Sequence, residues 1–344
     1  MIKLKYNVDN VEDVEEEYLV SILKRVYSKE DTINKYLNID VNEDLNINSL
    51  FEKLKFHDQN FNFLFEKYNL KDIILMKADK IPLFIKEIES KLNLLNNKNF
   101  IKKIEVLFNY SKFQGSVITP LFNKYVSIRT CYYCNRSFIF NIEKNKNVIK
   151  NNQKELFVTY QLDHFYEQSS YPYLSLCLHN LIPSCNTCNS VIKNNLIKKK
   201  EDDFFNKNII SPCSNNFNFD KYISFKTLNN EGEISLDLND FEIKLLPREE
   251  FYDEEFKSYE KYIEFFHLNE IYSEHKNILI EMKKKVDKYP DALISRIVTI
   301  FEGKYTADEI KKDLFSEHMY EDDLSKYPLS KLIKDFSIEL GLKN

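Results

Sequence analysis

The stretch "QLDHFYEQ" (161–168) places an aspartate beside a histidine, between two pairs of cysteines. Both pairs have the spacing Cys-x-x-Cys, in "CYYC" (131–134) and in "CNTCN" (185–189). The tight turn of such a pair lets both sulfurs face one ion, and four thiolates suit tetrahedral zinc. Six cysteines in 344 residues are too few for a disulfide scaffold. The sequence therefore predicts a structural zinc ion with four ligands: Cys131, Cys134, Cys185 and Cys188.

The two pairs are separated by 50 residues, far more than the roughly 15 to 20 of a simple two-knuckle zinc site. The β-branched and aromatic stretches "SFIFNI" (137–142) and "LFVTYQL" (156–162) predict a β-hairpin that is closed by Asp163 and His164. A short helix is predicted to begin near Ser190. Zinc would then hold the end of the hairpin beside the helix N-terminus, whose free N–H groups favour phosphate.

The regions on both sides of this segment are predicted to be mostly helical. The chain has only four glycines, none of them among the first 114 residues, so helix breakers are few there. Val11, Val14, Tyr18 and Ile22 recur at helical spacing and predict a helix that faces the core. Further on, "KYISFKTL" (221–228) and "EISLDLNDFEIKLL" (233–246) predict a pair of strands, which helices follow.

With 344 residues, the chain is expected to contain two or three packed units. The predicted fold class is α+β and predominantly helical, with a small zinc-stapled, treble-clef-like module between helical flanking regions. The predicted units are a helical N-terminal region (1–125), the zinc module (126–205) and a C-terminal region with a strand pair followed by helices (206–344).

Composition limits the classes of function. Neither G-x-G-x-x-G nor G-x-x-x-x-G-K-[ST] occurs, so any nucleotide-hydrolysing motor would have to be supplied by another chain. No apolar run approaches the roughly 18 residues of a membrane span, and "MIKLKYNVDN" (1–10) lacks the features of a signal peptide. We therefore expect a soluble, cytoplasmic protein that does not enter a membrane.

Charge is unevenly distributed. The net charge of the chain is −5, but residues 131–200 contain nine basic and only four acidic side chains. A basic module in an acidic chain suits local contact with phosphate. The alternative is a solvated Lys-rich loop, for which "KNKNVIKNNQK" (144–154) is the clearest candidate.

The order of "CYYC", "LDHF" (162–165), "HNL" (179–181) and "CNTCN" resembles that of His-Asn-His (HNH) endonucleases, which have a ββα-metal site framed by zinc knuckles. The matching motifs extend from Cys131 to Lys193, about a fifth of the chain. More narrowly, "YYCNRSFIF", "LDHFY", "YPYLSL" and "NLIPSCNTCNS" resemble bacterial HNH nucleases found beside ATPase partners in phage-defence systems such as Septu and retron-linked operons.

The resemblance implies a role for four residues. His164 matches the general base that takes a proton from the attacking water, which imidazole can do at neutral pH. Asp163 and Asn189 match the protein ligands of a catalytic Mg²⁺ or Mn²⁺ ion that is separate from the zinc. Asn180 matches the central Asn, whose side chain ties down the loop and helps to orient the base. The expected products carry 5′-phosphate and 3′-hydroxyl ends.

Lys193 and His179 are candidate phosphate contacts. The lysine of the family often follows the final Asn by three residues, whereas Lys193 follows Asn189 by four. For His179, the alternative is packing within its loop. Asp163 and His164 can serve one site only if their strand ends or bulges there, because neighbouring residues on a regular strand point to opposite faces.

The resemblance thus implies a metal-dependent endonuclease that hydrolyses nucleic acid, with DNA favoured over RNA. Its expected setting is bacterial anti-phage defence, as the effector nuclease beside an ATPase partner protein. The alternative function is a non-catalytic, treble-clef-like zinc module that binds nucleic acid or a protein. That alternative accounts for the cysteines and the basic segment, but it gives no reason for an Asp-His pair and an Asn after the last cysteine.

Overall fold

The computed structural model describes residues 1–27, 45–95, 98–145, 154–193, 209–237, 239–248 and 254–342. The chain is mostly helical with small antiparallel sheets, which confirms the predicted α+β class at this coarse level. Among the described helices, none combines the length and the apolar character that crossing a lipid bilayer requires.

The N-terminal region packs short helices around aromatic and aliphatic side chains. Its first helix, α1 (Val11–Leu23), begins after Asn10, whose side chain accepts a hydrogen bond from the first turn. Val14, Tyr18 and Ile22 are buried on one side of α1, as their spacing predicted, whereas Val11, the first residue of the helix, is exposed. The remaining helices and strands of this region are β1 (Val26–Tyr27), β2 (Leu45–Asn46), α2 (Ile47–His57), α3 (Gln59–Phe65), α4 (Leu70–Ile74), α5 (Ile81–Leu95), α6 (Lys98–Leu107), α7 (Tyr110–Phe113) and α8 (Thr119–Tyr125).

The central segment contains two separate antiparallel strand pairs. β3 (Asn141–Asn145) pairs with β4 (Lys154–Val158), and β5 (Gln161–His164) pairs with β6 (Leu181–Ser184). The second cysteine pair then leads into a π-helix, Thr187–Lys193, which we call the knuckle helix.

The predicted hairpin is only partly correct. An antiparallel pair does form, as β3 and β4, but it overlaps the predicted stretches only at 141–142 and 156–158. Asp163 and His164 lie outside it, at the end of β5. Their partner strand is β6, which the sequence did not reveal as a strand. All four residues of β6 are buried, so it lacks the alternation of apolar and polar residues that marks a half-exposed strand. The helix near Ser190 forms but begins earlier, at Thr187.

The C-terminal region contains the predicted strand pair, β7 (Ile223–Leu228) with β8 (Glu242–Pro247). Between Pro247 and Pro290, the described residues form three helices. The first break falls at His267, whose φ of 49° is left-handed and incompatible with a continuing helix. The helices of this region are α9 (Phe219–Tyr222), α10 (Glu254–Phe265), α11 (Leu268–Ser273), α12 (Lys276–Lys288), α13 (Asp291–Ile300), α14 (Ala307–Phe315) and α15 (Ser330–Glu339).

Buried hydrophobic side chains from all three regions form one continuous core within the described residues. Hydrogen bonds also cross between regions around the first cysteine pair. The Ile2 backbone N–H donates to the Tyr132 carbonyl (2.9 Å), and the Tyr272 hydroxyl donates to the Cys134 carbonyl (2.7 Å). The first cysteine pair is therefore contacted by residues of both the N-terminal and the C-terminal regions. The boundaries proposed at 125/126 and 205/206 stay predictions.

Candidate functional site

The four cysteines predicted to bind zinc form a buried cluster. Their sulfurs all lie within 4.8 Å of one another, which is close enough to hold a metal ion. The Cys185 backbone N–H donates to the Cys131 sulfur (3.3 Å), as is common around thiolate ligands. Burial raises the pKa of the Cys131 thiol. Four buried thiolates so close to one another therefore need a cation between them. The donor set therefore fits a structural metal ion, whereas Cys177 and Cys213 lie outside the cluster.

Each cysteine pair closes a tight turn by the same backbone contact. The Asn135 N–H donates to the Cys131 carbonyl (2.8 Å), and the Asn189 N–H donates to the Cys185 carbonyl (3.1 Å). The second turn is continuous with the knuckle helix. The cysteine cluster therefore fixes where the knuckle helix begins, and with it the position of Asn189.

β5 ends at His164, so the condition for Asp163 and His164 to share a site is met. Both residues line a cleft of about 760 Å³. Asn189 and Lys193 of the knuckle helix line the same cleft, together with Glu167. Four of the predicted site residues thus meet at one surface, although they are up to 30 positions apart in the sequence.

Asp163 is a buried carboxylate that is held from two sides. Its Oδ2 accepts hydrogen bonds from the Tyr133 hydroxyl (2.6 Å) and from the Lys193 ammonium (2.6 Å), and Lys193 also donates to the His164 carbonyl. Within the described part of the chain, Oδ1 has no protein donor. One oxygen of Asp163 is therefore bound by the protein, and the other is available to a ligand in the cleft.

The contacts of His164 determine which of its ring nitrogens is basic. Its Nε2 contacts the Ser175 carbonyl (2.9 Å), which can only accept, so Nε2 carries the hydrogen and Nδ1 carries the lone pair. The ring packs edge-on against Tyr110, with a centroid distance of 4.6 Å. Burial lowers the pKa of His164 although the Ser175 carbonyl opposes this, so the imidazole is neutral at neutral pH.

Asn180 ties down the loop that follows His164. It is completely buried, and its Oδ1 accepts from the Tyr166 N–H (2.7 Å). Its amide nitrogen donates to the carbonyls of Tyr166 (2.9 Å) and Leu174 (3.2 Å). The loop closed in this way includes Ser175, which holds the imidazole. Asn180 thus lies where a residue that orients the base would lie, and it has no place among the cleft-lining groups.

Asn189 reaches the same strand that carries Asp163. Its amide nitrogen donates to Gln161 Oε1 (2.8 Å), and the Ser190 hydroxyl donates to the same oxygen (3.0 Å). Gln161 precedes Asp163 by two residues and so lies on the same face of β5. The contact directs the Asn189 amide nitrogen to Gln161 and leaves its Oδ1 for the cleft. An amide oxygen and a carboxylate oxygen are donors that suit Mg²⁺ or Mn²⁺.

The two candidate phosphate contacts have other partners in the structure. Lys193 is buried and its ammonium is bound to Asp163, so its position favours holding the carboxylate over contacting phosphate. His179 is buried away from the cleft, and its Nε2 contacts Glu15 Oε1 (2.7 Å). Glu15 also pairs with Lys77. The packing alternative for His179 is therefore the one that its surroundings favour.

Sequence reasoning missed several residues around the cleft. Lys102, Glu105 and Asn109, in and after α6, also line the cleft. Tyr133 binds Asp163, and Tyr110 packs on His164. Only the adjacency of Tyr133 to two metal-ligand cysteines could have drawn attention to it. The local sequence around the other residues does not indicate a site, because lysines on surfaces and tyrosines in helices are common in places without function.

Comparison of the chain with protein families, with curated proteins and with solved structures found no match. Function is therefore inferred from the cleft and the cysteine cluster.

Proposed function

We propose that this protein is a metal-dependent endonuclease of the HNH type, which hydrolyses phosphodiester bonds of nucleic acid. One observation carries the proposal: Asp163, His164 and Asn189 line one cleft, and the hydrogen bond from His164 to the Ser175 carbonyl leaves Nδ1 as the basic nitrogen. A carboxylate and an amide oxygen can hold the metal ion, and a neutral imidazole can act as the general base, in metal-assisted phosphodiester hydrolysis.

In the proposed mechanism, His164 Nδ1 takes a proton from a water molecule while the water oxygen attacks the phosphorus atom. The bond between phosphorus and the 3′ oxygen breaks, and that oxygen takes up a proton from solvent, which leaves 5′-phosphate and 3′-hydroxyl ends. Asp163 Oδ1 and Asn189 Oδ1 would hold Mg²⁺ or Mn²⁺, which supplies Lewis-acid stabilisation of the departing oxygen. Asn180 holds the loop whose Ser175 carbonyl keeps the imidazole in place.

The cysteine cluster has a separate, structural role in this proposal. Zn²⁺ is the ion that four buried thiolates suit best in a reducing compartment such as the cytoplasm. It would join the "CYYC" turn to the knuckle helix and so set the position of Asn189.

The wider setting rests on the resemblance of the motifs. DNA is the proposed substrate, and the proposed biological role is that of effector nuclease in an anti-phage defence system, with an ATPase as partner protein. The chain has no phosphate-binding loop of its own, so nucleotide hydrolysis would come from that partner.

One observation favours the alternative of a non-catalytic zinc module. Asp163 is already paired with Lys193, and both are buried, so the carboxylate has a structural partner without any metal ion in the cleft. Such a module would bind nucleic acid or a protein but would leave phosphodiester bonds intact.

A cleavage assay separates the two functions. The purified full-length protein is incubated with duplex DNA, single-stranded DNA and RNA, with and without the partner ATPase, after EDTA treatment and after restoring Mg²⁺ or Mn²⁺. We expect cleavage to stop and return with the metal ion, and His164→Ala to reduce it by about 10²-fold or more. His57→Ala serves as a control because His57 is exposed and lies outside the cleft. Cleavage that ignores the metal ion, or full activity of His164→Ala, would contradict the proposal.

A further inference from the structure

Tyr133 connects the cysteine cluster to the cleft. It lies between Cys131 and Cys134 in the first turn, and its hydroxyl donates to Asp163 Oδ2 at 2.6 Å. The side chain is completely buried, and its ring stacks on Phe266 with a centroid distance of 4.5 Å and an interplanar angle of 23°. A ring that is fixed in this way can hold the Asp163 carboxylate in one orientation.

The backbone of Tyr133 is fixed as firmly as its ring. Its carbonyl accepts a hydrogen bond from the Tyr262 hydroxyl (3.0 Å). The neighbouring Tyr132 has a different role, because its hydroxyl donates to the Ser127 carbonyl (2.9 Å) and does not reach Asp163. Tyr133 of "CYYC" therefore contacts a residue of the cleft through its hydroxyl, whereas the hydroxyl of the adjacent Tyr132 makes its hydrogen bond to Ser127.

We propose that Tyr133 is a positioning residue for the catalytic metal ion: it holds Asp163 Oδ2 so that Oδ1 alone is presented to the cleft. The inference rests on the proposed nuclease function. A free carboxylate can rotate or bind a cation through both oxygens, whereas Mg²⁺ and Mn²⁺ sites favour single oxygens at fixed octahedral angles. Holding one oxygen removes the rotation before the ion arrives, and groups of this kind tune metal affinity.

Lys193 contacts the same oxygen, but it cannot by itself hold the Asp163 carboxylate in place once a metal ion is bound. Its ammonium is positively charged, so a divalent cation in the cleft repels it and favours its displacement from Asp163. The tyrosine hydroxyl carries no positive charge, so a divalent cation does not repel it. It can therefore remain on Oδ2 in the presence of the ion and preserve the orientation of the carboxylate.

The test compares Tyr133→Phe with Tyr132→Phe in the full-length, zinc-loaded protein. Each variant loses one hydroxyl and keeps its ring. Mn²⁺ binding is measured by titration with electron paramagnetic resonance of the free ion, well below the melting temperature of every variant, so that a loss of stability leaves the comparison intact. We expect Tyr133→Phe to raise the dissociation constant for Mn²⁺ about tenfold or more. Tyr132→Phe should bind Mn²⁺ as the unaltered protein does, and both variants should retain zinc.

Asp163→Ala distinguishes failure of this inference from failure of the proposed function. If Asp163→Ala abolishes Mn²⁺ binding while Tyr133→Phe binds Mn²⁺ normally, the role of Tyr133 is refuted and the metal site stands. If Asp163→Ala itself binds Mn²⁺ with unchanged affinity, the metal site is refuted, and the role of Tyr133 with it. Equal weakening by Tyr132→Phe and Tyr133→Phe would show a general effect of the turn and would overturn the specific contact.

Discussion

Asn180 and Asn189 show how two asparagines of one motif come to have different physical roles. Asn180 is completely buried and its side chain makes three hydrogen bonds to the loop backbone. Asn189 is half-exposed at the cleft, with one hydrogen bond from its amide to Gln161. Buried polar groups that lose their partners cost about 1 to 3 kcal/mol each, whereas partners exposed to water cost little. The two residues should therefore respond differently to the same truncation.

Asn180→Ala is expected to lower the free energy of unfolding by about 2 to 4 kcal/mol, because it removes three buried hydrogen bonds, with the Tyr166 N–H and with the carbonyls of Tyr166 and Leu174. Asn189→Ala is expected to change stability by less than about 1 kcal/mol and to weaken Mn²⁺ binding instead. Urea unfolding and a Mn²⁺ titration measure the two effects. The assignment of Asn180 to the loop would be wrong if its alanine variant were as stable as the unaltered protein.

At the scale of elements, the site is assembled from pieces that are too short to be stable alone. β5 and β6 have four residues each, and the knuckle helix has seven. An isolated two-stranded pair is marginal in water, and so is a helix shorter than about 12 residues. A metal ion bound by the cysteine cluster would supply the missing stability, because the unfolded chain has no such site and binding then contributes directly to folding.

Cys185→Ser is therefore expected to lose the structural metal ion and to unfold the cleft. Cys177→Ser is the matched control, because Cys177 is also buried but contacts the Met76 carbonyl outside the cluster. Zinc content by atomic absorption, together with thermal unfolding, measures the outcome. A Cys185→Ser protein that keeps its zinc and its melting temperature would rule out the structural role of the cluster.

At the scale of the whole molecule, Asn135 joins the cysteine cluster to the last helix of the chain. Its Oδ1 accepts from the Lys331 N–H (3.0 Å) in the first turn of α15, where the preceding Leu329 provides no side-chain cap. Its amide nitrogen donates to the Leu324 carbonyl (2.7 Å). A residue 196 positions away in sequence thus satisfies a helix N-terminus that would otherwise lack a partner.

Replacing Asn135 should lower the free energy of unfolding for two separable reasons, the loss of hydrogen bonds and the strain of the backbone. Its φ of 53° is left-handed, so Asn135→Ala adds about 1 to 2 kcal/mol of backbone strain to the lost hydrogen bonds. Asn135→Gly loses the same hydrogen bonds without that strain, so it should unfold at a temperature between those of Asn135→Ala and the unaltered protein. Thermal unfolding of the three zinc-loaded proteins gives the order, and equal melting temperatures for all three would disprove the joining role.

Part of the candidate site could be predicted because its signals are local. A Cys-x-x-Cys pair needs only its own turn to bring two sulfurs together, so Cys131, Cys134, Cys185 and Cys188 were recognisable as one metal site. The strand pair formed by β7 and β8 was recognisable from residue alternation and turn residues. The prediction that one hairpin closes at Asp163 was wrong. The stretch 156–162 was read as one strand, but it contains parts of two, β4 and β5, which pair with β3 and β6 respectively.

By itself, the sequence determined the four cysteines of the candidate metal site, the mainly helical character of the flanks and the existence of an Asp-His pair between the cysteines, since each of these depends on neighbours along the chain. Only the tertiary structure decided that Asp163 is held by Tyr133 and Lys193, that the Ser175 carbonyl leaves the lone pair of His164 on Nδ1, and that residues of α6 line the cleft. These relations join residues 11 or more positions apart. Their energy comes from burial and from the pairing of polar groups within one packed core, and no short stretch of sequence contains both partners.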